Sequence, residues 1–98
     1  MTREEAIARI RPHEAELRAA GISALYLFGS VARGASAPES DLDLMCDLNP
    51  SHPMGLFEFA GLQLRLQDRL RAPVDLVPRR SMHPGILKAA EADMVRVF

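Results

Sequence analysis

The sequence is poor in residues that form disulfides and thiolate metal sites. Cys46 is the only cysteine in 98 residues, so the chain cannot form an internal disulfide. The cysteine and the three histidines show no spacing that resembles a zinc site. We expect Cys46 to be a small buried hydrophobic residue in a strand.

The sequence also lacks long apolar runs and an excess of positive charge. No stretch is long enough to cross a membrane, and the N-terminus lacks the apolar core of a signal peptide, so we expect a cytoplasmic protein. The formal net charge is −1, which predicts no basic surface for duplex nucleic acid. A chain of this size has room for a single core, and we expect one domain over residues 1–98.

Residues 28–44, FGSVARGASAPESDLDL, contain two motifs separated by ten residues. Gly29 and Ser30 follow an apolar, strand-like run, and Asp41 and Asp43 lie in a second one. Because side chains alternate between the faces of a strand, the two carboxylates point the same way while the leucines face the core. Such neighbouring carboxylates raise each other's pKa unless a divalent cation lies between them. The pattern predicts an oxygen-ligand site for Mg²⁺, with Mn²⁺ as the alternative.

The small residues before the carboxylates are suited to binding phosphate. Gly29 lets backbone N–H groups approach an anion closely, and the Ser30 hydroxyl can donate or accept beside it. A short helix beginning near Ser30 would add unpaired donors, and Arg33 would add a cation. Ser40 could orient Asp41 through a hydrogen bond. Each feature alone is typical of a turn or of a solvated edge strand, but their order and spacing together favour a nucleotide site.

Three segments resemble a known family: FGSVARG at 28–34, SDLDL at 40–44 and VDLV at 74–77. They resemble the signature of the minimal nucleotidyltransferases (MNT), small members of the DNA polymerase β-like nucleotidyltransferase superfamily that are encoded beside HEPN-domain partners. The resemblance implies an α/β (α+β) fold with a small mixed sheet flanked by helices. It also implies an antitoxin that transfers AMP from ATP to a hydroxyl, expected to be a tyrosine, of a HEPN toxin.

The same resemblance implies a role for each site residue. Asp41 and Asp43 would bind both of two Mg²⁺ ions, and Asp75 would bind only the ion beside the attacking hydroxyl and accept its proton. Gly29 and Ser30 would hold the β and γ phosphates of ATP.

Two other functions fit the same residues. A non-catalytic antitoxin would neutralise its partner by binding alone, although the presence of all three carboxylates and the Gly-Ser pair favours an enzyme. A small-molecule nucleotidyltransferase would need a second subunit to complete its acceptor pocket. Because so short a chain has little surface left to enclose an acceptor, we expect a folded partner protein to supply half of its own binding site.

Local patterns predict the elements around these motifs. Thr2 and Glu5 form a capping-box pattern, so a helix begins there, and it either kinks or restarts at Pro12 before Gly21 ends it. Strands are predicted at 22–28, 41–47, 74–77 and 94–98, one helical turn at 31–34, helices at 54–71 and 85–91, and loops at 35–40 and 78–84.

The order of these elements predicts a mixed sheet. A strand–helix–strand connection crosses over right-handed and leaves the second and third strands parallel. The three aspartates then lie near the starts of two strands, whereas Gly29-Ser30 lies at the end of the first. These groups can meet only if the first strand runs opposite to the other two.

The longest predicted helix has two apolar sides. One side is expected to face the sheet: Leu56, Phe59, Leu62, Leu66 and Leu70. Phe57 and Leu64 lie on the opposite side, where either a terminal helix covers them or they form an interface in a homo-oligomer or hetero-oligomer. In the next helix, Ile86 and Leu87 are expected to point inward.

Overall fold

A computed structural model describes residues 1–34 and 41–98, and it is built around a four-stranded sheet. The strands are β1 (Ile22–Phe28), β2 (Leu42–Leu48), β3 (Val74–Pro78) and β4 (Val95–Arg96). The helices are α1 (Arg3–Ile10), α2 (Glu14–Ala20), α3 (Gly29–Ala32), α4 (Leu56–Leu70) and α5 (Pro84–Asp93), with 3₁₀ turns at Arg11–His13 and Arg79–Ser81.

The sheet has the predicted mixed topology. Its strand order is β3-β2-β1-β4. β1 runs antiparallel to both β2 and β4, while β2 and β3 are parallel. The end of β1 therefore lies beside the starts of β2 and β3.

The N-terminal helices follow the local signals. The Thr2 hydroxyl accepts a hydrogen bond from the Glu5 backbone N–H at 3.1 Å and caps α1. Pro12 lies in a 3₁₀ turn, after which the helix restarts as α2. Gly21 ends α2 in the left-handed region, at φ 117°. The structure thus selects a restart over a kink at Pro12.

The main core lies between one face of the sheet and helices α1, α2 and α4. It includes Ile10, Leu17, Leu25, Leu27, Leu42, Leu44, Leu62, Leu66, Leu70 and Leu76. Cys46 is fully buried in it, as predicted, and burial raises the pKa of its thiol to about 12. None of the helices in the described ranges combines the length and apolarity needed to cross a bilayer.

Two predictions about apolar faces are wrong, and a third question left open by the sequence is decided. Leu56 is 81% exposed because it is the first residue of α4 and lies about 80° around the helix from Leu66, on the flank of the buried stripe. For Phe57 and Leu64 the sequence left two alternatives open, and both side chains are exposed, so neither terminal helix, as the structure describes them, covers these residues. Ile86 is also exposed, because α5 turns Ala90 and the half-buried Leu87 inward instead.

The exposed edge of β3 is paired by side chains of α4. The Gln67 side-chain oxygen accepts from the Val74 N–H at 3.1 Å, and that of Gln63 accepts from the Leu76 N–H at 3.2 Å. These bonds satisfy donors that a sheet edge would otherwise leave open to another strand. They also fix β3, and with it Asp75, against the rest of the fold.

Candidate active site

The Gly29-Ser30 turn lies against the Asp43 carboxylate. Gly29 directly follows β1 and is the first residue of α3, and its φ of 76° lies in the left-handed region. A Cβ at this position would collide with Asp43 Oδ2. Glycine is therefore required both for the backbone conformation and for the close approach of the turn to the carboxylate.

Asp43 and Asp75 are partners in the sheet register. They lie side by side on the parallel strands β2 and β3, and Phe28, which precedes the turn, pairs with Asp43 across β1 and β2. Leu42 and Leu44 are fully buried while Asp43 is half-buried and Asp75 is exposed. The predicted alternation is confirmed, and the two carboxylates share the sheet face opposite the main core.

The charges around Asp43 are unbalanced. Burial, then Asp75, then Asp41 raise the pKa of the Asp43 carboxyl above its ordinary value of 3.8, and among the described residues Arg33 is the group that lowers it. Asp41 and Asp75 are thus both near enough to repel the Asp43 carboxylate. A cation bound here would relieve that repulsion.

The donor set fits magnesium. The side chains predicted to bind the ion offer carboxylate oxygens, and Mg²⁺ is usually held by one or two carboxylates together with waters and substrate phosphates. Asp43 and Asp75 supply such a pair. Over residues 1–34 and 41–98, the His, Cys, Asp and Glu side chains form no preassembled group of three around a common metal position.

Of the two remaining residues predicted at the nucleotide site, Arg33 lies in the described part of the chain and Ser40 does not. Arg33 Nη1 lies 3.6 Å from Asp93 Oδ2 near the end of α5. The Arg33 guanidinium therefore interacts with two carboxylates, Asp93 and Asp43. Ser40 lies outside the described residues. Asp93 was not predicted from the sequence, because no sequence spacing links residues 60 positions apart.

A polar cluster further along the same sheet face was also missed. Asp47 accepts hydrogen bonds from Arg79 Nε at 2.9 Å and from the Tyr26 hydroxyl at 3.2 Å. The Arg79 guanidinium lies 4.6 Å from the centroid of the Tyr26 ring and 3.5 Å from Glu91 on α5. The cluster joins β1, β2, the second 3₁₀ turn and α5 beside the carboxylates.

Comparisons with known proteins agree with this geometry. Residues 10–97 match the model of the nucleotidyltransferase domain family. Protein adenylyltransferase MntA of Thermococcus cleftensis is 34% identical over 100 residues, which cover 99% of this chain and 97% of that protein. A solved structure described as a candidate minimal nucleotidyltransferase superposes with a TM-score of 0.80 at 29% identity, covering 97% of this chain and 95% of its own.

A more distant structure shares the fold. It contains a tri-AMPylated HEPN toxin of Shewanella oneidensis in complex with its MNT antitoxin. The TM-score is 0.70 at 19% identity, and the match covers 93% of this chain and 70% of the other. At that identity the likeness demonstrates a common fold.

Proposed function

This chain belongs to the nucleotidyltransferase domain family, and from that premise we propose that it transfers AMP from ATP to a hydroxyl of a partner protein. The observation that carries the proposal is the packing of the Gly29 turn against Asp43, with Asp75 beside it in the sheet register. This packing supports the proposal because a turn suited to binding phosphate then lies next to paired carboxylates. The name of the Thermococcus cleftensis relative, protein adenylyltransferase, supports AMP as the group transferred.

We further propose that the acceptor is a tyrosine of a HEPN toxin and that its modification silences the toxin. The AMPylated toxin in the Shewanella oneidensis complex supports this choice of partner. The open position of the site supports it as well, because Asp41 and Asp75 are exposed and a bulky acceptor can reach them. In this proposal residues 1–98 act as one domain, and the partner completes the acceptor side.

The proposed chemistry assigns a task to each group. Asp41, Asp43 and Asp75 would hold Mg²⁺, which neutralises charge on the phosphates and acidifies the acceptor hydroxyl. The acceptor oxygen forms a bond to the α-phosphorus, the bond from that phosphorus to the bridging oxygen breaks, and pyrophosphate leaves. Asp75, exposed at the edge, takes the hydroxyl proton.

The phosphate-binding groups act on the other side of the α-phosphorus. Gly29 and Ser30 bind the β and γ phosphates, which leave as pyrophosphate. Arg33 adds positive charge at the same end of β1, where Asp93 holds its guanidinium. These contacts orient the triphosphate so that the acceptor can attack in line.

Asp43→Asn tests the enzymatic assignment. The purified chain is incubated with the HEPN-domain protein encoded beside it, ATP and Mg²⁺, and both proteins are weighed by intact mass spectrometry. We expect AMP mass increments on the partner with the wild type and none with Asp43→Asn, because the neutral amide lacks the negative charge that holds the cation in place.

The matched control is Asp68→Asn, which removes an exposed carboxylate from α4 and should leave transfer unchanged. Transfer by Asp43→Asn at the wild-type level would refute the assignment. Inhibition of the partner by the wild type without any mass change would instead identify an antitoxin that acts by binding.

A further inference from the structure

The outer side of α4 presents two large apolar side chains to solvent. Phe57 is 91% exposed and Leu64 is 65% exposed. They lie seven residues apart, so they share one side of the helix, directly opposite the buried Leu62 and Leu66. We call this side, centred on Phe57, Ala60, Gly61 and Leu64, the outer face of α4.

Small residues lie between the two apolar side chains. Ala60 and Gly61 occupy the middle of the outer face, and a Cβ added at Gly61 would meet nothing within 4 Å. A groove opens beside Gly61, bounded by His52 and Met54. The helix backbone is therefore approachable at the midpoint between Phe57 and Leu64, and an aromatic ring has space beside it.

We propose that the outer face of α4 packs antiparallel against the same face of a second copy of this chain. A two-fold axis near Ala60 and Gly61 sets Phe57 of each copy against Leu64 of the other. The small residues then allow the two helices to approach closely at the axis. The two-fold arrangement thus covers each exposed apolar side chain with one from the other copy.

Charge complementarity selects this arrangement. Glu58 and Arg65 are seven residues apart and lie along the same flank of the outer face. In an antiparallel pair each Glu58 lies beside Arg65 of the other copy, whereas in a parallel two-fold pair these flanks lie on opposite sides of the contact and the two residues do not meet. Arg65 is free to reorient at little cost, since its contact with Glu16 on α2 is a 3.8 Å surface pair.

The paired face is separate from the active site. α4 covers the core face of the sheet, and Asp43 and Asp75 lie on the other. Association through α4 leaves the carboxylates open to ATP and to an acceptor. Dimerisation through α4 and the proposed AMP transfer can therefore be tested independently of each other.

Sedimentation equilibrium over a wide concentration range tests the inference. We expect the wild-type mass to rise from one chain to two with concentration, and Phe57→Asp to remain at one chain, because it places a charge in the contact. Ile86→Asp is the matched control: Ile86 is 60% exposed but lies on α5, so this variant should associate like the wild type. A wild type that stays monomeric throughout, or equal loss of association in Ile86→Asp, would overturn the proposal.

Two further variants test the geometry. Glu58→Arg should weaken association, and Glu58→Arg combined with Arg65→Glu should restore it. Gly61→Cys should form a disulfide across the two-fold axis under mild oxidation, because the native Cys46 is buried and its raised pKa keeps it unreactive. Failure of both the restoration and the cross-link would overturn the antiparallel pairing. If the wild type is monomeric and Phe57→Asp weakens binding of the HEPN-domain protein, the face belongs to that protein and the proposal is refuted.

Discussion

At the scale of single residues, the candidate site depends most on Gly29. Two glycines near the site adopt almost the same left-handed backbone, Gly29 at φ 76° and Gly34 at φ 73°. They differ in their surroundings, since a Cβ would collide with Asp43 at the first and would meet none of the described residues within 4 Å at the second. The pair separates the cost of backbone strain from the cost of crowding the carboxylate.

We predict that Gly34→Ala lowers the free energy of unfolding by about 1–2 kcal/mol, the cost of a left-handed alanine, and retains AMP transfer. Gly29→Ala should lower it further and abolish transfer, because the added methyl group displaces the Asp43 side chain. Urea unfolding and the mass assay measure both effects. Equal behaviour of the two variants would show that the turn and the carboxylate do not depend on each other.

At the scale of elements, Arg79 in the second 3₁₀ turn links the sheet to α5 through its side-chain contacts. It contacts Asp47 on β2, Tyr26 on β1 and Glu91 on α5. The planar guanidinium can stack on the ring and donate to two carboxylates at once, which a lysine cannot do in the same geometry. Because Asp93 on α5 also holds Arg33, the position of α5 bears on the phosphate end of the site.

We predict that Arg79→Met destabilises the chain by about 1–3 kcal/mol, since it removes charge-assisted hydrogen bonds and leaves Asp47 without its cation. The exposed neighbour Arg80 provides the control, and Arg80→Met should change stability by less than about 0.5 kcal/mol. Urea unfolding gives the stabilities, and amide exchange should show faster opening of α5 in Arg79→Met alone. Unaltered exchange in α5 would mean that the helix is held by other contacts.

At the scale of the whole molecule, the carboxylate cluster makes stability depend on pH. The folded chain raises the pKa of Asp43 above 3.8, chiefly through burial and Asp75. At pH values between the ordinary pKa of 3.8 and the raised pKa of the folded state, the folded state binds a proton at Asp43 more often than the unfolded state does. The contribution of Asp43 to the free energy of unfolding therefore falls as the pH rises through the window above 3.8 and levels off once Asp43 is ionised in both states.

We predict that Asp43→Asn removes this dependence. The variant should be more stable than the wild type near neutral pH, and the difference should shrink as the pH falls toward 3.8. Urea unfolding of both proteins across that range, without divalent cations, measures the difference. The same series on Asp68→Asn gives the baseline for loss of an exposed carboxylate, and a difference no larger than that baseline would contradict the prediction.

The sequence by itself determined the parts that depend on neighbouring residues. Alternation along β2 set Asp43 opposite Leu42 and Leu44, and the capping pattern at Thr2 placed the start of α1. The position of Gly29-Ser30 after one strand and of Asp75 within another required a mixed sheet. These features follow from backbone geometry over a few residues and from the handedness of a crossover connection.

Only the tertiary structure decided which groups from distant parts of the chain meet. Arg33 reaches Asp93, Arg79 joins Asp47 to Glu91, and the turn at Gly29 closes on Asp43. The outward positions of Leu56 and Ile86 were likewise mispredicted, because helical spacing gives the angle between side chains but not the rotation at which a helix settles on the sheet. That rotation minimises the free energy of all packed contacts together, and no local pattern contains it.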